Sequence, residues 1–371
     1  LPCCRGSVFS CPSIRTANGW QKVHDIGSGL KQNMYKSNAS GRWPTRISAV
    51  LVSALLAGGA QAQDYGAAHA DVPAFVEKMQ VEHGFNAAHV QQVLDQAVRQ
   101  EAILKAIARP AERVKPWHEY RAIFITDKRI EGGVAFWNKH AETLARAEKE
   151  YGVEPEIILA IMGVETSYGG NMGSYRVIDA LTTLGFDYPP RADFFRRQLE
   201  SYLVLTREQQ MDPLALKGSY AGAMGYGQFI PSSYQAFAVD FDGDGVVDIW
   251  NNPVDAIGSV ANYFHQHKWQ HGADVAIAAD VTGNTFAEGI TLEQGLEARK
   301  TVGELRKLGW TPRETLDEDR EVMAFEFDAG EQMQYWLGLD NLHVITRYNR
   351  SVMYAMVVHQ LADLLREARQ E

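Results

Sequence analysis

PEIILAIMGVETSYGG, Pro155 to Gly170, is the most informative stretch of the chain. Proline suits a first helical position, and Ile157, Ile158, Leu159, Ile161, Met162 and Val164 leave no polar face. A helix of that kind must be buried all round, so it is predicted to be the central element of the body. Glu165 closes it. Apolar surroundings and the negative end of the helix dipole both disfavour a carboxylate there, so Glu165 is expected to keep its proton near neutral pH. General-acid cleavage of a glycosidic bond needs that state, because the leaving oxygen must receive a proton as its bond to carbon breaks. A buried glutamate satisfied by an arginine or by backbone donors is the competing reading of the same position.

On the N-terminal side, Val90, Val93, Leu94, Ala97 and Val98 recur at three-and-four spacing, which predicts one amphipathic helix from its N-cap Asn86 to about Ile107. Ile130, Val134, Trp137, Ala141 and Leu144 form a second stripe, predicting a continuous helix from Asp127 to Glu150 that stops at Gly152. From Val275 the character changes. Short β-prone pieces such as Val322–Phe327 and His343–Thr346 lie between Gly, Asp and Thr clusters, so a small, partly β region is expected. Val352–Ala368 reads as an apolar-faced helix returning to pack on the N-terminal helices. The fold class is mainly α, of the α+β kind.

Two loops add chemistry. In GAMGYGQFIPSSY, Gly222 to Tyr234, three glycines alternate with Met and aromatic residues, which lets backbone approach a ligand while flat side chains offer apolar faces to sugar rings. A plain structural loop is the alternative. It is no dinucleotide fingerprint, since Ile230 stands where the third glycine belongs. In DFDGDGVVD, Asp240, Asp242, Asp244 and Asp248 fall at positions 1, 3, 5 and 9 of an EF-hand calcium loop, with Gly245 at 6 and the Val246 carbonyl at 7. Asn251 replaces the bidentate glutamate of position 12, so Asp255, at position 16 of an enlarged loop, is the candidate for the last ligand. An acidic surface turn is the alternative. His267 and His271 lack the glutamate of a zinc helix, and Ser219 is not on a G-x-S-x-G elbow.

The 371 residues carry 36 Lys and Arg against 46 Asp and Glu, a net charge of −10, which argues against a nucleic-acid-binding surface. Basic Lys36, Arg42 and Arg46 precede an apolar run from Ile47 to Ala57, and Ala60-Gln61-Ala62 fits a signal-peptidase site. Residues 34–62 are therefore expected to be a signal peptide cut after Ala62, and residues 1–33 upstream or artefactual sequence. All three cysteines, Cys3, Cys4 and Cys11, fall in that excluded part, so the exported protein is expected to fold without disulfides and without an acylated cysteine as a membrane anchor.

From about Val72 onward the chain resembles the lytic murein transglycosylase B family in its soluble, periplasmic form. The resemblance is carried by GVETSYG at Gly163, ALTTLGFDYPPRADFF at Ala180, KGSYAGAMGYGQFIPSSY at Lys217, DFDGDGVVDIW at Asp240, NPVDAIGSVANYF at Asn252 and ITRYNRS at Ile345. It implies a lysozyme-like core over about 126–272 with a calcium loop at 240–255. A helical part of about 71–125 plus 350–371 and a small β-containing region of about 273–347 complete it. It implies Glu165 as the catalytic acid/base, substrate contacts at Tyr120, Arg191, Ser219, Gln228, Tyr263, Tyr348, Asn349 and Tyr354, a structural calcium, and peptidoglycan glycan strands as substrate. Pro190 stands where the family often has an arginine, so one basic contact is expected to be missing.

The implied reaction cuts the β-1,4 bond between N-acetylmuramic acid and N-acetylglucosamine with an internal nucleophile, the C6 hydroxyl, so that one carboxyl group suffices and a 1,6-anhydro sugar results. Ser219 and Asn349 are the candidate orienting donors. A muramidase using water would need a second carboxylate, for which Asp179, Asp187 and Asp193 are the candidates. A calcium-stabilised glycan-binding protein without turnover is the rival from another class.

Overall fold

The computed structural model describes Tyr65, residues 69–108 and residues 115–370; the expected signal peptide, its cleavage site and the three cysteines lie outside them. In chain order the helices are α1 (Val72–His83), α2 (Ala87–Asp95), α3 (Glu101–Ile107), α4 (Trp117–Phe124), α5 (Asp127–Lys139), α6 (Ala141–Tyr151), α7 (Pro155–Thr166), α8 (Val177–Asp187), α9 (Ala192–Glu208), α10 (Pro231–Phe237), α11 (Pro253–Gln266), α12 (Val302–Lys307), α13 (Asp340–Tyr348) and α14 (Val352–Gln370). Strands β1 (Tyr175–Arg176) and β2 (Lys217–Gly218) make a two-residue ribbon. Strands β3 (Ala276–Val281), β4 (Lys300–Thr301), β5 (Trp310–Pro312), β6 (Glu321–Asp328) and β7 (Met333–Gly338) form one antiparallel sheet in the order β4-β6-β7-β3-β5.

Every residue of α7 is buried, as its lack of a polar face requires. Two expected helices are each broken in two. Asn86 caps α2 by accepting from the His89 amide, but the chain leaves the helix after Asp95, because the amides of Val98 and Gln100 are taken by Asp179 and Thr183 of α8 at 2.9 and 3.1 Å. The Asp127–Glu150 stripe is likewise two helices, α5 and α6, meeting at His140 (φ −117°, ψ 26°). The apolar spacing continues through both breaks, so periodicity did not reveal them. Gly152 ends α6 in the left-handed region, as expected.

The β region is present, but His343–Thr346 is not a strand. Those residues lie in α13, whose buried face is Leu342, Val344 and Ile345. Strand β6 matches the β-prone Val322–Phe327 and shows why it lacks a clean alternation, for both faces are covered. Val322 and Ala324 face a small core of Ile277, Val302, Leu305, Trp310 and Leu337, whereas Met323, Phe325 and Phe327 join the main helical core. Phe327 stacks on Trp117 of α4 at 4.7 Å. The terminal helix α14 returns as expected to helices earlier in the chain, α5 and α4, but packs chiefly on the central helix α7.

Three histidines tie this packing to pH. His359 of α14 lies 3.5 Å from Asp363 and edge-on to Trp336 of β7, with Arg366 and Asp274 also nearby; His343 faces Glu297 at 3.5 Å; and His267 stacks on Tyr263 at 4.1 Å. Burial pushes all three below the ordinary imidazole value of 6.5. The unfolded chain then binds more protons than the folded one, so their contribution is complete above about pH 6.5 and is lost as the pH falls towards the folded values. Stability is expected to be lower at pH 5 than at pH 7.5, with His359→Gln flattening the profile. Identical thermal midpoints at the two pH values would refute the argument.

Candidate active site

Glu165 occupies the last turn of α7 and is only 2% exposed. The helix closes through two consecutive left-handed residues, Ser167 (φ 51°) and Tyr168 (φ 59°). Such a turn costs energy for residues with a side chain, and several contacts hold it. The Ser167 amide bonds Gly163 O at 3.0 Å and the Tyr168 amide bonds Met162 O at 3.1 Å. Arg129 of α5 donates to Ser167 Oγ at 3.2 Å while its other guanidinium nitrogen donates to the Ile123 and Phe124 carbonyls at the end of α4. The Tyr168 ring fits only because Gly133 and Gly163 carry no Cβ, since a methyl group at either would overlap its hydroxyl.

Tyr354 of α14 donates its hydroxyl to Glu165 Oε1 at 2.7 Å, at a site where both residues are buried. Burial first, and then the Glu165 carboxylate, push the Tyr354 and Tyr348 phenols well above their ordinary value of 10. Both therefore stay protonated and act as donors. Tyr348 donates to the Gly227 carbonyl and meets the ring of Tyr263 edge-on at 4.7 Å, which brings α13, α11 and the glycine-rich loop together at a ring near enough to Glu165 to feel its charge. Tyr120 of α4 is 5% exposed and close enough to Tyr354 to act on it electrostatically.

The glycine-rich loop is a tight, self-bonded structure. Ser219 Oγ accepts from the Ala221 and Ala223 amides at 3.3 and 3.0 Å, leaving its own O–H as the group able to donate outward. Gln228, in the left-handed region at φ 53°, donates its side-chain amide to Gly225 O and Met172 O, so it fastens the loop to the segment after α7. Gly225 has φ 66°, and a Cβ there would run into the Ile249 carbonyl. Asn349 is 1% exposed, and its Oδ1 has no hydrogen-bond partner among the described residues. Arg191 sits on the 3-10 turn Pro189–Arg191, half-buried, with its guanidinium over the Phe194 ring at 4.8 Å.

Of the three aspartates weighed as a second carboxylate, two are tied into structural hydrogen bonds and the third is a surface residue. Asp179 accepts from the Val98 amide and from Arg176 Nε and Nη2; Asp187 accepts from Tyr65 and faces Arg99; Asp193 is an exposed partner of Arg196. Sequence reading missed Arg129 and Thr166. Arg129 lies on the predicted Asp127–Glu150 helix with no chemical signal of its own, and only the tertiary fold turns it to the α4 carbonyls. Thr166 adjoins Glu165 but carries no chemical signal of its own.

The acidic loop lies between α10 and α11, a helix-loop-helix arrangement. One carboxylate oxygen each from Asp240, Asp242 and Asp244 falls within 4.8 Å of the others. The amides of Gly245, Gly243 and Asp244 hold the Asp240 carboxyl below the ordinary range. Hard oxygen donors converging in this way suit calcium. Val246, offered for its carbonyl, is 39% exposed. Asp248 binds the Trp250 and Asn251 amides at 2.9 Å each. Asp255 lies apart from that trio. It is fully buried in the first turn of α11, accepting from the Phe241 amide through Oδ1 and from the Asp248 amide through Oδ2, both at 2.8 Å.

The profile of the family described as Transglycosylase SLT domain matches residues 67–363. The chain is 46% identical over 304 residues to membrane-bound lytic murein transglycosylase B of Escherichia coli K12, covering 80% of this chain and 82% of that protein. Among solved structures it is similar to catenated lytic transglycosylase SltB1 from Pseudomonas aeruginosa, with 55% identity, a TM-score of 0.78, and coverage of 81% of this chain and 98% of that one. It is also similar to Escherichia coli lytic transglycosylase Slt35 in complex with calcium, with 44% identity, a TM-score of 0.76, and coverage of 82% and 95%.

Proposed function

Because the chain belongs to the transglycosylase SLT family and is a peptidoglycan lytic transglycosylase, we propose that it cuts the β-1,4 bond between N-acetylmuramic acid and N-acetylglucosamine with Glu165 as its single acid/base. Glu165 donates a proton to the leaving O4 as the C1–O4 bond breaks. As a carboxylate it then takes the proton of the C6 hydroxyl of the same muramoyl residue, whose oxygen closes onto C1 and gives a 1,6-anhydro product. The observation that carries this reading is the Glu165 carboxyl, buried at the end of an all-apolar helix and oriented by the Tyr354 hydroxyl, while the rival aspartates are used elsewhere. Ser219 and Asn349 are the orienting donors to the sugar, and Tyr120, Arg191, Gln228, Tyr263, Tyr348 and Tyr354 line its path. Mass spectrometry of digested murein tests the reaction. Anhydromuramoyl ends are expected, and reducing-end muramic acid would mean that water is the nucleophile.

The same reading gives calcium a structural role in the loop, held by Asp240, Asp242 and Asp244, the Val246 carbonyl and Asp248, with the buried Asp255 behind the loop as the candidate for the last ligand. The calcium complex of the similar Slt35 structure supports this. The lysozyme-like core spans about 126–272, the helical part about 71–125 plus 350–371, and the β region about 273–347. The protein works in the periplasm, where its substrate lies. No described helix is long and apolar enough to cross a membrane.

A further inference from the structure

We propose that Thr166 is a positioning residue whose hydroxyl aims Glu165 at the sugar by coupling the end of α7 to the glycine-rich loop; this rests on the single-glutamate reading above. Thr166 is fully buried and follows Glu165 directly. Its Oγ1 lies 2.9 Å from the Tyr226 carbonyl and 3.2 Å from the Met162 carbonyl, and it accepts from the Gly169 amide at 3.0 Å. A hydroxyl has one proton to give, and the shorter contact assigns it to Tyr226. The hydroxyl thus passes a bond from the strained turn after Glu165 to the loop.

The next carbonyl of that loop completes the coupling. Gly227 O accepts from Tyr348, at the end of α13 and next to Asn349. Two successive loop carbonyls are therefore pinned from two different helices, one by the residue beside Glu165 and the other by the residue beside Asn349. Tyr226 is seated by its own amide, which bonds Ile249 O at 3.1 Å, and by its ring against Gly169, where a Cβ would collide with it. Loss of the hydroxyl frees the turn to move relative to the loop, and small errors of placement at a proton donor are costly in rate.

Three variants separate the hydroxyl from the methyl group. Thr166→Val keeps the shape and removes the hydrogen bonds; Thr166→Ser keeps the bonds and removes the methyl; Thr166→Ala removes both. On a soluble murein oligosaccharide, Thr166→Val and Thr166→Ala are expected to lower kcat by on the order of tenfold with KM within about twofold, and Thr166→Ser to retain kcat. If Thr166→Val does not fold, the Ser and Ala pair carries the same comparison. A kcat that follows thermal stability across the series, or an unaltered kcat in the variants without a hydroxyl, would overturn the proposal. Glu165→Gln run alongside keeps the two ideas distinct, since continued lysis by that variant removes the single-glutamate reading whatever the Thr166 series shows.

Discussion

Replacing Glu165 with Gln is expected to lower murein lysis by about a thousandfold or more while leaving the fold and glycan binding in place. The substitution is nearly isosteric, and the amide oxygen of Gln can still accept the Tyr354 hydroxyl bond found at 2.7 Å. What it removes is the transferable proton, and with it both halves of the reaction. In the proposed reaction the nucleophile is internal, so it assigns no second carboxylate to take over. Asp179 is locked by Arg176 and the Val98 amide, and Asp193 is paired with Arg196. The measurement is the release of anhydromuropeptides by matched amounts of the two proteins, with circular dichroism and pull-down on insoluble murein as controls. Lysis within a few fold of wild type would sink the assignment.

The largest stability effect is expected at Asp255. Its carboxylate is fully buried and receives the Phe241 and Asp248 amides, one at each end of the acidic loop. Burial raises its pKa against the pull of those two donors, and a divalent cation held by the neighbouring carboxylates would favour its ionised form. Asp255→Ala leaves two backbone donors without their acceptor and loosens the loop, an expected cost of about 3 kcal/mol or more, read by urea denaturation. Calcium provides a linked test. At a hundredfold excess over its Kd it should stabilise the wild type by about 2.7 kcal/mol, and Asp240→Ala or Asp244→Ala should abolish that response. A wild-type thermal midpoint that ignores calcium would remove the ion from the account.

Much of the site was legible because its parts are local in sequence. The buried helix, the terminal glutamate, the alternating glycines and the aspartate spacing each lie within about a dozen residues, and their physical signatures do not depend on distant partners. The errors came where distant groups compete for the backbone. The break after Asp95 exists because α8 presents Asp179 and Thr183 to the Val98 and Gln100 amides, and nothing in residues 86–107 announces that. His343–Thr346 has a β-prone composition, yet it becomes helical; Asn341 in the first turn of α13 is bound to Gln270 and Ala273, which docks the segment on the turn that follows α11.

By itself the sequence determined a mainly helical body around Pro155–Thr166, a glutamate at the end of its buried helix, a run of regularly spaced aspartates, and the family, since local patterning and chemistry are written in neighbouring residues. Only the tertiary structure decided what surrounds Glu165. Tyr354, 189 positions away, supplies its hydrogen bond, and the turn after it is held by Arg129 from α5 and by Tyr226 from the glycine-rich loop. Such contacts depend on where helices cross, and helix crossings follow from packing the whole core rather than from any one segment.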